Sequence, residues 1–374
     1  MRDSLGIRIV ESQAPLWTAE SAQRLGRQPE LMVGSSFGAP DGRIGAVSAA
    51  VRLEDGRIVV ADWKYGAVKI FDAVGHVIRR IVPPTGPGAL TSDGYMLNVS
   101  GDTILLFDIF QHRSTMLTAD GKVVSFLAID HPPPVPEHII GLRPLGVLAD
   151  GGLLGWSDLR MYRPEIAWHA ESLSTWHVLP NGSLEPIATL LSGDAYSFVY
   201  PANGGPVMET GLRPFTVRSS VAAGQRSLWY TDGRHFEIRE YNLDGMLRLV
   251  GRMQRTPATV TPAEITAFRN EQLAHAPSAR AGVQAMLAWL IPAETHPAFA
   301  QLVVSRDGSV WAREDGDSTS VQHWDVFDPS ARWLGEIDVP AGVDIMEIGA
   351  EYLLGRTRDP DGWTEHVVVY RFAH

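Results

Sequence analysis

Short runs of alternating apolar and polar residues, separated by tight turns, follow one another along most of the chain. The clearest unit covers residues 49–82, AAVRLEDGRIVVADWKYGAVKIFDAVGHVIRRIV. We read it as four strands whose three turns contain Gly56, Gly66 and Gly75, because glycine supplies the positive φ that hairpin turns need. Four short antiparallel strands of this kind predict one blade of a β-propeller.

The unit recurs with variable length, so its turns were used to count the blades. Turns between a first and a second strand lie near residues 55, 101, 150, 224, 307 and 349, and turns between a third and a fourth strand lie near residues 75, 120, 181, 244 and 329. The last unit therefore lacks a fourth strand, which residues 22–34 are predicted to supply, closing the ring and covering an open sheet edge.

These patterns predict a single all-β domain over residues 1–374, a six-bladed β-propeller. Two β-sandwiches are the alternative, but sandwiches do not predict a missing final strand. The long connections lie at residues 130–140, 159–174, 192–210 and 251–298, all on the rim that carries the second-to-third-strand loops and the blade-to-blade connections. Loops on a rigid scaffold commonly carry function, whereas random drift would lengthen the loops of both rims.

The longest connection, 251–298, is predicted to be a short helical insertion between blades four and five. Thr261 and Glu264 form a capping box with Pro262 at the first helical position, and a second apolar helical pattern covers about residues 280–290. These helices either roof the mouth of the channel or pack on the side of the ring.

An aspartate ends the second strand of most blades. These residues are Asp62, Asp108, Asp158, Asp232 and Asp315. A ring of carboxylates around a channel would be a metal site, but a residue repeated in every blade favours a local task, namely accepting backbone N–H bonds in the following turn. No histidine pair has a strong metal-binding spacing. We therefore predict no metal site and no cofactor; calcium is a candidate that the sequence does not support.

The tetrapeptide Gly-Leu-Arg-Pro occurs twice and places Arg143 and Arg213 just before apolar stretches. The proline that follows each arginine favours an extended backbone there, as the chain leads into the inner strand of a blade. Two arginines at one channel mouth indicate an anionic group on a ligand. The alternative is that each arginine pairs with an aspartate of a neighbouring blade.

The residues that follow the repeated aspartates differ from blade to blade, as a binding site requires. Together with Arg143 and Arg213, the predicted ligand-binding residues are Trp63, Lys64, Tyr65, His112, Arg160, Tyr162, Arg234, His235 and Arg356. His112 or His235 beside Asp158 would be a candidate general base for hydrolysis. The sequence contains no nucleophile-elbow, Walker or dinucleotide-binding motif.

Charge and composition exclude several classes of function. The 374 residues include 32 basic and 43 acidic side chains, a formal charge of −11, and no cysteine. An acidic surface disfavours nucleic acid, and the absence of cysteine excludes thiolate nucleophiles and thiolate metal sites. The longest uncharged stretches, such as residues 281–293, are too short to span a bilayer. We expect a monomer without a transmembrane segment.

The blade at residues 55–81 resembles the NHL type, and the chain resembles uncharacterised bacterial six-bladed β-propellers of the NHL/TolB-like family. The sequences that carry this resemblance are RDSLGIRIVES, YTDGRHFEIREYNLDGMLRLV, VTPAEITAFRNE, ETHPAF and GRTRDPDGWTEHVVVYRF. The resemblance implies a secreted, periplasmic or lipid-anchored protein whose export leader is absent from this sequence. Related gluconolactonase-like and paraoxonase-like enzymes bind calcium through a glutamate on the first inner strand, but residues 42–53, GRIGAVSAAVRL, contain none.

The resulting prediction is an extracytoplasmic propeller that binds a small anionic metabolite, glycan or peptide at its loop-rich rim. The alternative is a hydrolase or lyase, of lactonase or esterase type, that uses a histidine or aspartate at the same mouth. A third hypothesis is a protein-interaction platform, which an exposed apolar patch on the helices would support.

Overall fold

The structure is a computed structural model. It describes residues 2–4, 6–34, 42–82, 95–100, 103–108, 113–129, 139–159, 168–202, 205–275, 280–316, 320–359 and 364–373. Within these ranges the chain forms 28 strands in six sheets and two α-helices. The mostly β character predicted from the sequence is confirmed.

The N-terminal strands and the first two sheets follow one another along the chain. The N-terminal strands are β1 (Arg2–Ser4), β2 (Ile7–Ser12), β3 (Arg24–Leu25) and β4 (Leu31–Val33). Sheet 1 contains β5 (Val47–Arg52), β6 (Ile58–Asp62), β7 (Ala67–Phe71) and β8 (Val77–Ile81). Sheet 2 contains β9 (Tyr95–Ser100), β10 (Thr103–Asp108), β11 (Arg113–Thr118) and β12 (Val123–Ala128). Both are antiparallel meanders.

Sheet 3 has a fifth strand that the sequence analysis did not anticipate. Its strands are β13 (Ile139–Val147), β14 (Leu153–Leu159), β15 (Trp168–Val178), β16 (Leu184–Ala202) and β17 (Gly205–Leu212). The region 192–210, expected to be a connection, is largely a hairpin of β16 and β17, in which Ala202 pairs with Gly205. The hairpin extends one edge of the sheet.

Sheet 4 is also enlarged, in this case by the N-terminus. Its strands β18 (Ser220–Ala223), β19 (Ser227–Thr231), β20 (Glu237–Asn242) and β21 (Leu247–Met253) form a meander. Strand β2 pairs in parallel with β21, and β1 pairs with β2. Helices α1 (Pro262–His275) and α2 (Arg280–Trp289) follow β21 along the chain.

Sheets 5 and 6 complete the chain. Sheet 5 contains β22 (Phe299–Val304), β23 (Val310–Glu314), β24 (Val321–Phe327) and β25 (Trp333–Pro340). Sheet 6 contains β26 (Asp344–Ile348), β27 (Tyr352–Arg358) and β28 (Glu365–Ala373). The outer side of β28 pairs with both β3 and β4, so residues from the beginning of the chain provide the fourth strand of its last sheet.

The core is divided among the spaces between consecutive sheets. In β6, Val59 and Ala61 pack in a cluster with residues of sheet 2, whereas Ile58 and Val60 pack in a cluster with residues of sheet 6. Successive strand residues point to opposite faces of a sheet, so β6 is apolar at nearly every position and buried on both sides. Comparable clusters join sheets 2 and 3, 3 and 4, 4 and 5, and 5 and 6.

Glycines in the turns between third and fourth strands bring neighbouring sheets together. Gly75 lies against Leu31 and Val33, Gly121 against Ile81, Gly182 against Ala128, and Gly245 against Ile187. Each of these glycines has a positive φ, and each turn contacts the outer strand of the preceding sheet. A side chain at these positions would separate the two sheets or strain the turn.

The corresponding turn of sheet 5 has the opposite arrangement. It carries Ala331 at a φ of +59°, and the facing residue of β21 is Gly251. A Cβ on Gly251 would lie 2.7 Å from the Cβ of Ala331. At this junction the glycine that allows the close contact lies in strand β21, and the residue with a positive φ in the turn is an alanine.

The two helices pack on the extended part of sheet 3. Leu290, Met286 and Leu287 of the second helical segment pack with Phe268 of α1 against Tyr196 of β16. The predicted capping box is present: the Thr261 backbone N–H donates to Glu264 at 2.7 Å, and the Glu264 N–H donates to the Thr261 hydroxyl at 3.3 Å. Because their apolar residues contact β16, the helices present this cluster to the sheet and not to solvent.

Candidate functional site

Three connections of the kind predicted to lie on the loop-rich rim surround a cavity of about 280 Å³ beside sheet 4, which we call the rim cavity. They are the connection from sheet 3 to sheet 4 (213–217), the loop between β19 and β20 (232–235) and the segment between α2 and β22 (293–297). Gly193 and Asp194 of β16 complete the wall. Of the predicted ligand-binding residues, Arg213, Arg234 and His235 line this cavity.

Arg213 already has protein partners at each part of its guanidinium group. Its Nε donates to the backbone carbonyl of Ile291 at 3.0 Å, and a terminal nitrogen donates to that of Pro292 at 2.9 Å. The other terminal nitrogen lies 3.7 Å from a carboxylate oxygen of Asp194. Arg213 thus links the segment after α2 to the connection between sheets 3 and 4. Its contact with Asp194 is closer to the predicted alternative, pairing with an aspartate, than to binding of a ligand.

We expect Arg213→Ala to lower the free energy of unfolding by about 2 kcal/mol, because two backbone carbonyls, that of Pro292 partly buried, lose a charged donor. Arg234→Ala is the matched control, since Arg234 pairs with the same Asp194 from an exposed position and such pairs contribute about 1 kcal/mol or less. Urea unfolding of both variants measures the difference. Equal losses would show that the two carbonyl contacts do not stabilise the fold.

Arg234 and His235 lie in the loop that follows Asp232. Asp232 accepts a hydrogen bond from the Arg234 backbone N–H at 2.9 Å, so this repeated aspartate shapes the following turn as predicted. One terminal nitrogen of Arg234 donates to Asp194 at 2.7 Å. In the part of the chain that the structure describes, its other guanidinium nitrogens have no hydrogen-bond partner. His235 is largely exposed, with Nδ1 3.8 Å from Asp232.

His296 forms the opposite wall of the cavity, and the sequence analysis gave it no functional role. Its Nε2 lies 3.0 Å from an oxygen of Glu264, the capping-box residue of α1. Its ring meets that of Phe215 edge-on, with centroids 5.7 Å apart. Hydrogen bonds from the Thr261 hydroxyl and backbone hold the pKa of Glu264 below its usual range, and His296 adds to this. An ionised Glu264 thus orients the imidazole.

The remaining described candidates lie outside this cavity. Trp63, Lys64 and Tyr65 form a 3-10 turn after β6, with Trp63 and Tyr65 largely exposed. The guanidinium of Arg143 lies over the ring of Trp156, 5.4 Å from its centroid. Arg356 donates to Asp344 and to the Val47 carbonyl, so its donors hold β26 and β5 together. Arg143 and Arg213 are therefore not brought to one opening around this cavity.

Four of the predicted site residues lie wholly or partly outside the described part of the chain. His112, Arg160 and Tyr162 lie outside the described residues. Asp158 belongs to β14, where it pairs with Ile140 and Leu173, but its side chain is likewise outside the description. The predicted pairing of His112 or His235 with Asp158 remains a prediction.

Asp62 shows what a repeated aspartate can do when it is buried. It is fully buried and accepts hydrogen bonds from the backbone N–H groups of Gly45 and Ala46 at 3.0 and 3.2 Å. Lys69, which is also buried, donates to it at 2.9 Å. The acceptor role predicted for this aspartate is correct, but the donors precede β5 instead of following β6.

The fold of this chain is similar to those of several solved protein structures with low sequence identity. No protein-family model matches the chain, and no curated protein matches its sequence. Among solved structures, a Bacteroides fragilis protein thought to be exported has a TM-score of 0.47 at 11% identity, over 98% of this chain and 99% of that one. Regucalcin, a calcium-binding protein of Agrobacterium tumefaciens, has a TM-score of 0.43 at 10% identity, over 97% and 96%.

Virginiamycin B lyase of Staphylococcus aureus has a TM-score of 0.41 at 10% identity, over 94% of this chain and all of that one. These solved structures are β-propeller-like proteins. At TM-scores below 0.5 such likenesses carry nothing about function to this chain. Neither helix in the described part of the chain has the length and apolar character needed to span a membrane.

Proposed function

We propose that this chain is a six-bladed β-propeller that binds a small carboxylate-bearing ligand in the rim cavity. The observation that carries the proposal is the position of Arg234, which lines the cavity with part of its guanidinium group unpaired among the described residues. Guanidinium groups bind carboxylates through two parallel N–H···O bonds. The cavity volume of about 280 Å³ lies just below the range of roughly 300–1,000 Å³ found for small-molecule sites, as expected for a small ligand.

The cyclic order of contacts supports the propeller. Six buried clusters join each sheet to the next, and one of them joins sheet 6 to sheet 1 through Val33, Val367 and Val47. Pairing of β3 and β4 with β28 gives the sixth sheet its outer strand. A closed ring accounts for both observations, and it leaves the connections on one rim free to vary.

The charges around the cavity restrict the ligand further. Asp194 and Asp232 lie beside Arg234, and Glu294 lines the cavity with His296. These carboxylates disfavour a strongly anionic ligand such as a polyphosphate. A ligand with one carboxylate for Arg234 and hydroxyl or amino donors for the neighbouring acids fits this mixture, as in an amino acid, a hydroxy acid or a uronic acid.

The test is a thermal-shift screen of the purified protein with a panel of amino, hydroxy and uronic acids, followed by calorimetry of each compound that stabilises it. We expect Arg234→Ala to weaken binding of such a compound at least about tenfold, since a charged hydrogen bond contributes about 1.5–3 kcal/mol. Arg226→Ala is the control, because Arg226 is an exposed arginine on a first-to-second-strand turn of the same sheet. Binding that both variants retain would refute the proposal.

An enzymatic function is the second candidate, and the His296–Glu264 pair favours it. A carboxylate that fixes the position of an imidazole is the arrangement of a general base. The experiment is a hydrolysis and elimination assay with esters and lactones of the compounds found in the screen. Loss of turnover in His296→Ala, with binding retained, would support a hydrolase or lyase. Turnover unaffected by that change would exclude this role.

An extracytoplasmic location and a monomeric state complete the proposal. The location follows from the family that the sequence resembles, and fractionation of cells expressing the native gene tests it. Light scattering of the purified protein tests the monomeric state. A dimer, or a product confined to the cytoplasm, would contradict the corresponding statement.

A further inference from the structure

Three carboxylates meet on one face of sheet 5, at its junction with sheet 4. Glu314 ends β23, Asp325 lies in β24, and Glu336 lies directly opposite Asp325 in β25. One oxygen of each carboxylate lies within 4.8 Å of the others. Carboxylates placed together on adjacent strands repel one another, so a cluster of this kind requires compensation by positive charge.

Asp325 is the most deeply buried of the three carboxylates. It is fully buried, and neither of its oxygens has a hydrogen-bond donor among the described residues. Its strand neighbours Trp324 and Val326 are buried and apolar, and Ala312 lies opposite it in β23. Such an orphaned acceptor, pointing towards two other carboxylates, indicates a missing positive partner.

Arg255 supplies only part of that positive charge. One of its terminal nitrogens lies 2.5 Å from Glu314, but 3.5 Å from both Asp325 and Glu336. N–H···O bonds are rarely longer than roughly 3.2 Å, so Arg255 makes a short hydrogen bond to Glu314 and only long contacts to Asp325 and Glu336. One guanidinium group thus faces three carboxylates. The Arg255 side chain is partly exposed, and its guanidinium carbon lies 4.3 Å from the centroid of the Phe236 ring.

We propose that Glu314, Asp325 and Glu336 form a Ca²⁺ site whose cation exchanges with the Arg255 guanidinium. All three ligands offer oxygen, which hard divalent cations prefer. Ca²⁺ accepts irregular sets of oxygen ligands at roughly 2.3–2.6 Å, whereas Mg²⁺ demands a near-ideal octahedron at roughly 2.0–2.1 Å and gives up its water reluctantly. The three oxygens lie within 4.8 Å of one another on three adjacent strands, so one Ca²⁺ ion can be bound by all three with small side-chain adjustments.

The exchange with Arg255 has a measurable consequence. Arg255 follows β21 and reaches the cluster from sheet 4, so its side chain can leave while the strands of sheet 5 stay in place. A cation that binds only when Arg255 is displaced has its apparent affinity reduced by the fraction of time that the site is open. Removing the arginine should therefore strengthen Ca²⁺ binding, although it weakens the metal-free fold.

The experiment is calorimetric titration of EDTA-treated, dialysed protein with CaCl₂, together with thermal unfolding with and without CaCl₂. We expect one Ca²⁺ per chain for the wild type, and a higher unfolding temperature in its presence. Arg255→Ala should bind Ca²⁺ at least about tenfold more tightly than wild type. Asp325→Asn and Glu314→Gln should each lose at least about tenfold in affinity, because each removes a charged ligand. MgCl₂ should bind more weakly than CaCl₂.

Asp338→Asn is the control, because Asp338 is an exposed carboxylate on β25, the strand that carries Glu336, and its side chain pairs with His323 at 2.8 Å. It should change the Ca²⁺ affinity by less than about threefold, because Asp338 is exposed, already paired with His323, and supplies no ligand oxygen. Circular dichroism shows which variants are folded, and Glu314→Gln replaces Asp325→Asn if the latter is not. Absence of Ca²⁺ binding by folded wild type would overturn the proposal. So would unchanged affinity in the Asp325 or Glu314 variant, or weaker binding by Arg255→Ala.

Discussion

Val33→Asp should unfold the protein or lower its free energy of unfolding by about 4 kcal/mol or more. Val33 is the last residue of β4, and it is almost completely buried with Ile44, Phe71 and Val367. A carboxylate in this cluster has no donor to replace water, and burying an unpaired charge costs several kcal/mol. Whole domains have only about 5–15 kcal/mol to lose.

Met32→Asp is the matched control, because Met32 is the preceding residue of the same strand, pairs with Val368 and is 46% exposed. It should cost about 1 kcal/mol or less. Urea unfolding monitored by tryptophan fluorescence compares the two variants. If Val33→Asp were tolerated as well as Met32→Asp, β4 would not hold sheet 6 against sheet 1, and the proposed closure of the ring by the N-terminal segment would be wrong.

The alternating pattern predicted the repeating units well because each has a local cause. A buried sheet needs apolar strands, and a tight turn needs a residue that accepts positive φ, so Gly56, Gly75 and Gly245 can be recognised in the sequence. Pairing between distant segments has no such local mark. The parallel pairing of β2 with β21 and the docking of Gly251 against Ala331 depend on contacts that no short stretch of sequence describes.

The β16–β17 hairpin was missed for a specific reason. Its tip contains Pro201 and Pro206, which pair with one another across the two strands. Proline cannot donate to a β-ladder, and in a sequence it argues against a strand. Here the two prolines lie in the last pairs of the extended hairpin before its turn, where little of the ladder is lost. The sequence pattern therefore indicated a connection where the structure has strands.

The candidate site was predicted in part. Arg234 and His235 were identifiable because they follow a repeated aspartate and vary among the blades. His296 was not, because its partner Glu264 was already explained by the capping box, and nothing in the sequence links the two residues. The partners of Arg213 include the backbone carbonyls of residues 291 and 292, and main-chain acceptors have no sequence signature. A predicted ligand-binding arginine and a scaffold arginine therefore look alike before the fold is known.

Gly245→Ala should lower the free energy of unfolding by about 2–4 kcal/mol, more than the same change at Gly151. Both glycines have a φ of +83° and both lie in short turns, so the backbone strain of about 1 kcal/mol is common to the two variants. The surroundings differ. A Cβ on Gly245 would overlap the backbone carbonyl of Ile187 in sheet 3, whereas a Cβ on Gly151 would meet no atom within 4 Å. Overpacking against rigid backbone costs roughly a further 1–3 kcal/mol.

The comparison of these two variants isolates the docking of one sheet on the next, because the shared strain cancels. Urea unfolding of wild type, Gly245→Ala and Gly151→Ala gives both free-energy differences, and an unchanged dependence on urea shows that the unfolded states are comparable. Gly245 contacts β16, the strand that also carries Asp194 of the rim cavity. If the Ile187 carbonyl moved to admit the new methyl group, the clash would disappear and the two variants would lose equal free energies of unfolding. Equal losses would mean that the apolar cluster alone holds sheets 3 and 4 together. The glycine turn would then contribute no contact of its own.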